Sequence, residues 1–156
     1  MNNNDILRRV RYAFDFNDSK MIQLFGLGEL ETNRPQVSQW LKKDDDPELI
    51  QLKDKELSSF LNGLIIDKRG LQEGKESPKA ESKTDNNLVL RKLKIALNLK
   101  AEDMLEIMSL TGIQIGKHEL SALFRKPSQS QYRPCKDQFL RNFLHGLQLK
   151  YRGEEE

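Results

Sequence analysis

Apolar side chains recur in this chain at intervals of three and four residues, the period of a helix buried along one face. Ile6, Leu7, Val10 and Phe14 mark a first helix over residues 4–15. Asn3 or Asn4 can cap it, and Asp5 suits the positive end of its dipole. Arg8, Arg9 and Arg11 lie off the stripe. Asn17-Asp18-Ser19 stops and restarts the chain. Met21, Ile22, Leu24 and Phe25 mark a second helix that ends at Gly26-Leu27-Gly28, where a left-handed residue is easily placed. A third helix, residues 33–43, opens on Asn33-Arg34-Pro35 and buries Val37, Trp40 and Leu41. Asp44-Asp45-Asp46-Pro47 is a turn into a short segment, 48–52, and Asp54 is placed to cap a fourth helix with Leu57, Phe60, Leu61, Leu64 and Ile65.

Residues 71–86 carry many charges and one sizeable apolar side chain, Leu71, which predicts a flexible, disordered linker. Beyond it the helical period returns. Leu90, Leu93 and Leu97 mark residues 87–99; Met104, Leu105, Ile107 and Met108 mark 101–110; Leu120, Leu123 and Phe124 mark 116–126. A polar loop, 127–134, leads to 137–148 with Leu140, Phe143, Leu144 and Leu147. No segment alternates with period two, so the fold class is all-α.

The second set of helices rewrites the first. Shifted by 83 positions, Asn3–Gly70 falls on Asn86–Gly153 without a gap. Leu7 meets Leu90, Ala13 meets Ala96, Met21 meets Met104, Ser38 meets Ser121, Phe60 meets Phe143 and Gly63 meets Gly146. A register held over 68 positions marks a duplicated module. The chain divides into a helical repeat at 1–70, a linker at 71–86, a second repeat at 87–153 and an acidic tail at 154–156. A module of this size buries only about 60% of its unfolded surface and is marginal alone. The two copies should therefore dock about a pseudo-two-fold axis and share a core. Gly63 and Gly146, each inside a helix, predict a close helix crossing in each copy.

Charge adds little until it is divided. The chain has 26 basic and 24 acidic side chains. Residues 1–70 carry 11 basic and 12 acidic groups, whereas 87–156 carry 12 and 8, a net of +4. A basic second copy is compatible with an acidic partner. The single cysteine, Cys135, excludes an intramolecular disulfide and a cysteine-rich zinc site; as the counterpart of Leu52 it reads as a small buried hydrophobe. The N-terminus lacks a basic-then-apolar signal, and no apolar run approaches about 18 residues, so a soluble cytoplasmic protein without membrane association is expected.

Candidate chemistry is sparse. His118 and His145 have no carboxylate or cysteine at a ligand spacing, and no nucleophile, phosphate-loop or dinucleotide pattern occurs. No metal, cofactor or enzymatic activity is expected. One pattern does suggest binding. Residues 19–26 followed by 33–43, and 102–109 followed by 116–126, look like the second and third helices of a helix-turn-helix. In that arrangement Arg34, Gln36 and Gln39, and in the second copy Lys117, His118 and Ser121, would face base edges, with Arg125 and Lys126 on phosphates. The connections exceed the usual 3–4-residue turn, and Asp44, Asp45 and Asp46 would repel a phosphate backbone. A protein partner is therefore favoured over DNA, with these eight residues as the candidate surface. The strings LRKLKIALNLKAEDMLEIM, LSALFRKP and CKDQFLRNFLHGLQLKYRG, with LRRVRYAFDF, VSQWLKK and LSSFLNGL in the first copy, resemble the YehS family. The resemblance implies a small bacterial protein with two copies of a domain of unknown function, and it brings no activity or site residue with it.

Overall fold

The computed structural model describes residues 1–71, 74 and 76–153. Among them are eight helices: α1 (Asn3–Phe14), α2 (Asp18–Leu27), α3 (Arg34–Trp40), α4 (Asp54–Arg69), α5 (Asn86–Ala96), α6 (Ala101–Ser109), α7 (Lys117–Ala122) and α8 (Asp137–Tyr151). The described residues form no strand. Helices α1–α4 make the first copy and α5–α8 the second, and the backbone repeats almost to the residue. Asp15 and Asn98, 83 apart, both close their helix in the left-handed region (φ 53° and 54°), as do Gly70 and Gly153 after the last helices (φ 75° and 92°).

The copies dock reciprocally. α1 packs on α8 and α4 packs on α5, which is one contact written twice about a pseudo-two-fold axis. Within each copy the second helix lies on the fourth, α2 on α4 and α6 on α8. One continuous core results. Leu7, Val10, Leu57, Leu61 and Leu64 join Leu90, Leu93, Leu140, Leu144 and Leu147, all essentially without exposure. The apolar stripes thus bury across the copies as well as within them, as expected of modules too small to stand alone. α1 and α8 run side by side with matching ends. The Met1 ammonium donates to Asp137 Oδ2 at 2.7 Å, and Arg152 Nη1 donates to the Tyr12 carbonyl at 2.9 Å. Thr84 and Asp54 repeat the first of these contacts at the twin interface, at 3.0 Å.

The expected close crossings are present. A Cβ on Gly63 would lie 1.7 Å from the Leu24 carbonyl oxygen, and one on Gly146 would lie 2.4 Å from that of Ile107. Gly28 adds a third such approach, 1.7 Å from the Ser59 carbonyl oxygen. Here one expectation is corrected. Gly28 has φ −84°, and the left-handed residue that follows α2 is Glu29, with φ 68°. Glycine is needed at 28 for proximity and not for backbone freedom.

Other element ends shift for physical reasons. Asn2, not Asn3 or Asn4, caps α1, with Asp5 completing the capping box. The Asn3 and Asn4 side chains reach inward instead. Lys53 stands at the N-cap of α4, so Asp54 is its first helical residue and not its cap. α3 and α7 stop at Trp40 and Ala122. Residues 41–43 and 123–126 leave the helix: Asn4 and Asn87 take the Trp40 and Leu123 carbonyls, and the Lys43 and Lys126 carbonyls accept from the Asp46 and Gln129 amides of the following loops. Residues 48–52 form no helix, and the Ile50 amide donates back to Gln39 at 3.2 Å. Asn86, assigned to the linker by composition, begins α5. Of the rest of that linker, residues 72, 73 and 75 lie outside the described residues, as does the acidic tail at 154–156. The part near residue 81 is tied to α4: Ser58 Oγ donates to Glu81 Oε1 and accepts from its amide, both at 2.9 Å.

Candidate functional site

A buried asparagine organises the loop beyond α7. Asn87 Nδ2 donates to the carbonyls of Leu123 (3.0 Å) and Arg133 (2.9 Å), while its Oδ1 accepts from the Cys135 amide (2.8 Å). Asn86 adjoins it, donating to the Cys135 carbonyl and to Asp137 Oδ1. Three backbone groups that an irregular loop would leave unpaired are thereby satisfied by one side chain. The first copy builds the same device. Asn4 donates to Trp40 and Ile50 and accepts from Leu52, each at 2.9 Å, and Asn3 donates to Leu52 and Asp54. The hydrogen bond from Asn3 holds the Asp54 carboxyl below its ordinary range, against some desolvation, with Thr84 assisting. Asp137 is lowered by the Met1 ammonium first and by Asn86 second.

The loop so fixed walls a groove of about 690 Å³ between α7 and α8. Ile115, Ala122, Leu123, Pro134 and Phe139 supply its apolar surface. His118, Glu119, Arg133, Lys136, Gln138 and Asn142 supply polar groups around it. A volume of this size, apolar with a few convergent polar groups, has the character of a binding site. The duplication shows how this lining differs from the first copy. Leu123 stands where the first copy has Trp40, whose indole packs with Phe25 (ring centroids 5.1 Å apart) while Phe25 packs with Phe60 (5.1 Å). In the second copy the trio becomes Leu123, Met108 and Phe143. A second groove, of about 350 Å³, lies along α1 and is lined by Arg8, Arg9, Arg11, Tyr12, Leu41, Lys43 and Gln148.

The eight residues expected at a binding surface divide. His118 lines the larger groove. Arg34, Gln36 and Gln39 lie on α3, and Lys117 and Ser121 on α7. Arg125 and Lys126 follow α7 in the turn. Arg34 and Lys117, each 71% exposed, sit 3.8 Å from Asp18 and Glu102 respectively, pairs that contribute little at such exposure. α3 and α7 have only 7 and 6 residues, and residues 28–33 and 110–116 separate them from the helices before. Glu119, Arg133, Pro134, Lys136 and Phe139 were not singled out by sequence pattern. Four of them differ from the first copy, where Gln36, Ile50, Gln51 and Glu56 stand, and that difference was their only signal; Lys136 repeats Lys53.

Cys135 is buried, and desolvation first, then Asp137 and Asp85, push its thiol up to about 12, which suits packing and not nucleophilic chemistry. Among the described residues, no three His, Cys, Asp or Glu side chains converge as a metal site requires, and no helix is long and apolar enough to cross a membrane.

Fold and grooves together define the class: an all-α protein of two tandem four-helix modules that share one core. The chain belongs to the family described as protein of unknown function (DUF1456), which matches residues 3–70 and 86–153, one match for each module. It is 42% identical over 147 residues to the uncharacterized protein YehS of Escherichia coli (strain K12), an alignment that covers 94% of each chain. No solved structure matches it.

Proposed function

We propose that this protein acts by binding another protein without catalysis, as a cytoplasmic adaptor or regulator, and that the groove between α7 and α8 receives the partner. The observation that carries this reading is the groove's lining: five apolar residues within a rim of both charges, Glu119 beside Arg133 and Lys136. A buried apolar anchor ringed by polar contacts is how protein partners are held. A DNA-facing surface would instead show one sign of charge and a recognition helix free to enter the major groove. The alternative of DNA binding through Lys117, His118, Ser121, Arg125 and Lys126 is tested beside it.

A photo-reactive residue in place of Gln138, at the groove, is cross-linked in a lysate of Escherichia coli, the source of the 42% identical relative. The expected result is a discrete protein adduct that disappears in Leu123→Trp, which enlarges one apolar residue of the groove's lining. An adduct that persists in Leu123→Trp contradicts the groove. Binding of random duplex DNA that survives physiological salt and falls in Lys117→Ala and Arg125→Ala establishes the alternative.

A further inference from the structure

The interface between α4 and α5 holds a carboxylate from the chain's own linker. Lys92, only 8% exposed, pairs with Glu81 Oε2 at 3.0 Å and donates to Asn62 Oδ1 at 2.5 Å. Ser58 Oγ donates to Glu81 Oε1, and the Glu81 amide donates back to Ser58. Asn62 Nδ2 reaches the Pro78 carbonyl at 3.4 Å. The seat therefore engages both the side chain and the main chain of an extended segment.

The pseudo-two-fold axis makes a second seat between α8 and α1. The 83-residue shift carries Lys92 to Arg9, Ser58 to Arg141 and Asn62 to His145. The paired contacts of Thr84 with Asp54 and of Met1 with Asp137 fix the same helix register at both interfaces. Arg9 and His145 are exposed, and among the described residues neither has a hydrogen bond or ion pair. Arg141 donates to Gln138 on its own helix, at 2.8 Å. The groove along α1 is continuous with Arg9 and adds Arg11 and Lys43, with no carboxylate in its lining. Arg8, also in that lining, is already paired with Asp5 and Asp44.

We propose that the second seat binds a glutamate side chain on an acidic, extended segment of a partner protein, as its twin binds Glu81. Arg9 supplies the charge that Lys92 supplies in the twin. Arg141 and His145 replace a hydroxyl and an amide with donors that favour an anion more strongly. Arg11 and Lys43 extend the attraction to neighbouring acidic residues. This surface shares no residue with the lining of the groove between α7 and α8, which it adjoins through the Arg141–Gln138 hydrogen bond.

The test is a titration of the full chain, labelled with 15N in its arginine and histidine side chains, with a capped tetraglutamate peptide at low salt. Capped tetraserine is the control. The expected result is saturable shifts at Arg9, Arg141 and His145, weakened about tenfold in Arg9→Gln, as loss of one charge-assisted hydrogen bond should do. The fold of Arg9→Gln is checked by its amide spectrum. Shifts that do not saturate, or an affinity unchanged in Arg9→Gln, overturn the proposal. So does inorganic phosphate binding the same residues more tightly than the peptide, which would make this a bare anion site. Displacement of the peptide by a short DNA duplex at lower concentration would make it a nucleic-acid surface and also overturn it.

Discussion

Asn4 and Asn87 show how much one side chain can decide. Each sits inside the core margin, 2% and 5% exposed, and makes three hydrogen bonds to loop backbone. Truncation strands a buried carbonyl and a buried amide and frees a second, partly buried carbonyl. With a net of about 1 kcal/mol for each bond and a penalty for buried unpaired groups, Asn87→Ala should cost about 3 kcal/mol of unfolding free energy, and Asn4→Ala about the same. Urea midpoints measure this, and a loss below about 1 kcal/mol would show the loops to be held by other means. Asn87→Ala should in addition loosen the wall of the α7–α8 groove. These asparagines were written twice in the sequence, yet as polar residues they carry no weight in a hydrophobic pattern, so Asn4 read as a cap and Asn87 as nothing more than the start of a helix. Only the repetition of an Asn-Asn pair at the same offset hinted at a buried role. Asp54, beside them, gives a pH prediction. Its folded pKa is depressed, so its contribution is fully present above the unfolded value of about 3.9 and is lost as pH falls through the folded value. Asp54→Asn should flatten the loss of stability below about pH 4. An unchanged acid slope would remove Asp54 from the account.

At the scale of elements, the fourth helix of each copy depends on the bare backbone of one glycine. Gly63→Ala would drive a methyl into the Leu24 carbonyl and should cost several kcal/mol, on the order of a severe core overpacking. Gly26 is its control. It lies inside α2, a Cβ there meets nothing within 4 Å, and Gly26→Ala should stabilise by about 0.5–1 kcal/mol. Thermal melts of the two variants should move in opposite directions; a shift of the same sign would refute the crossing geometry. Glu29 and Gly112 occupy the same left-handed position of the two copies, with φ 68° and 78°. The helices themselves were legible because their stripes are long and periodic. Their ends were less so. α3 and α7 stop early because Asn4 and Asn87 capture the Trp40 and Leu123 carbonyls, a tertiary cause that no local signal carries. The groove between α7 and α8 was illegible for a similar reason. Its lining has Leu123 where the first copy has Trp40, and both read simply as apolar.

For the whole molecule, duplication supplies a symmetric frame, and departures from symmetry supply its candidate surfaces. Glu81 belongs to the second category. Lys92 is buried with it, so Glu81→Ala should cost about 1–2 kcal/mol, a figure reduced because the Glu81 side chain remains 36% exposed. A neutral outcome in urea unfolding would return residues near 81 to the role of a passive linker. The larger claim is that the copies form one core by reciprocal docking, α1 on α8 and α4 on α5. The chain offers a direct test of it. Its one tryptophan, Trp40, is 1% exposed in the first copy, whereas helical circular dichroism reports both copies. Unfolding in urea, followed by the two signals on one sample, should give coincident transitions, since neither copy keeps its stripe buried without the other. A Trp40 transition separated from the loss of helix would mean that the copies unfold independently, and the shared core would be contradicted.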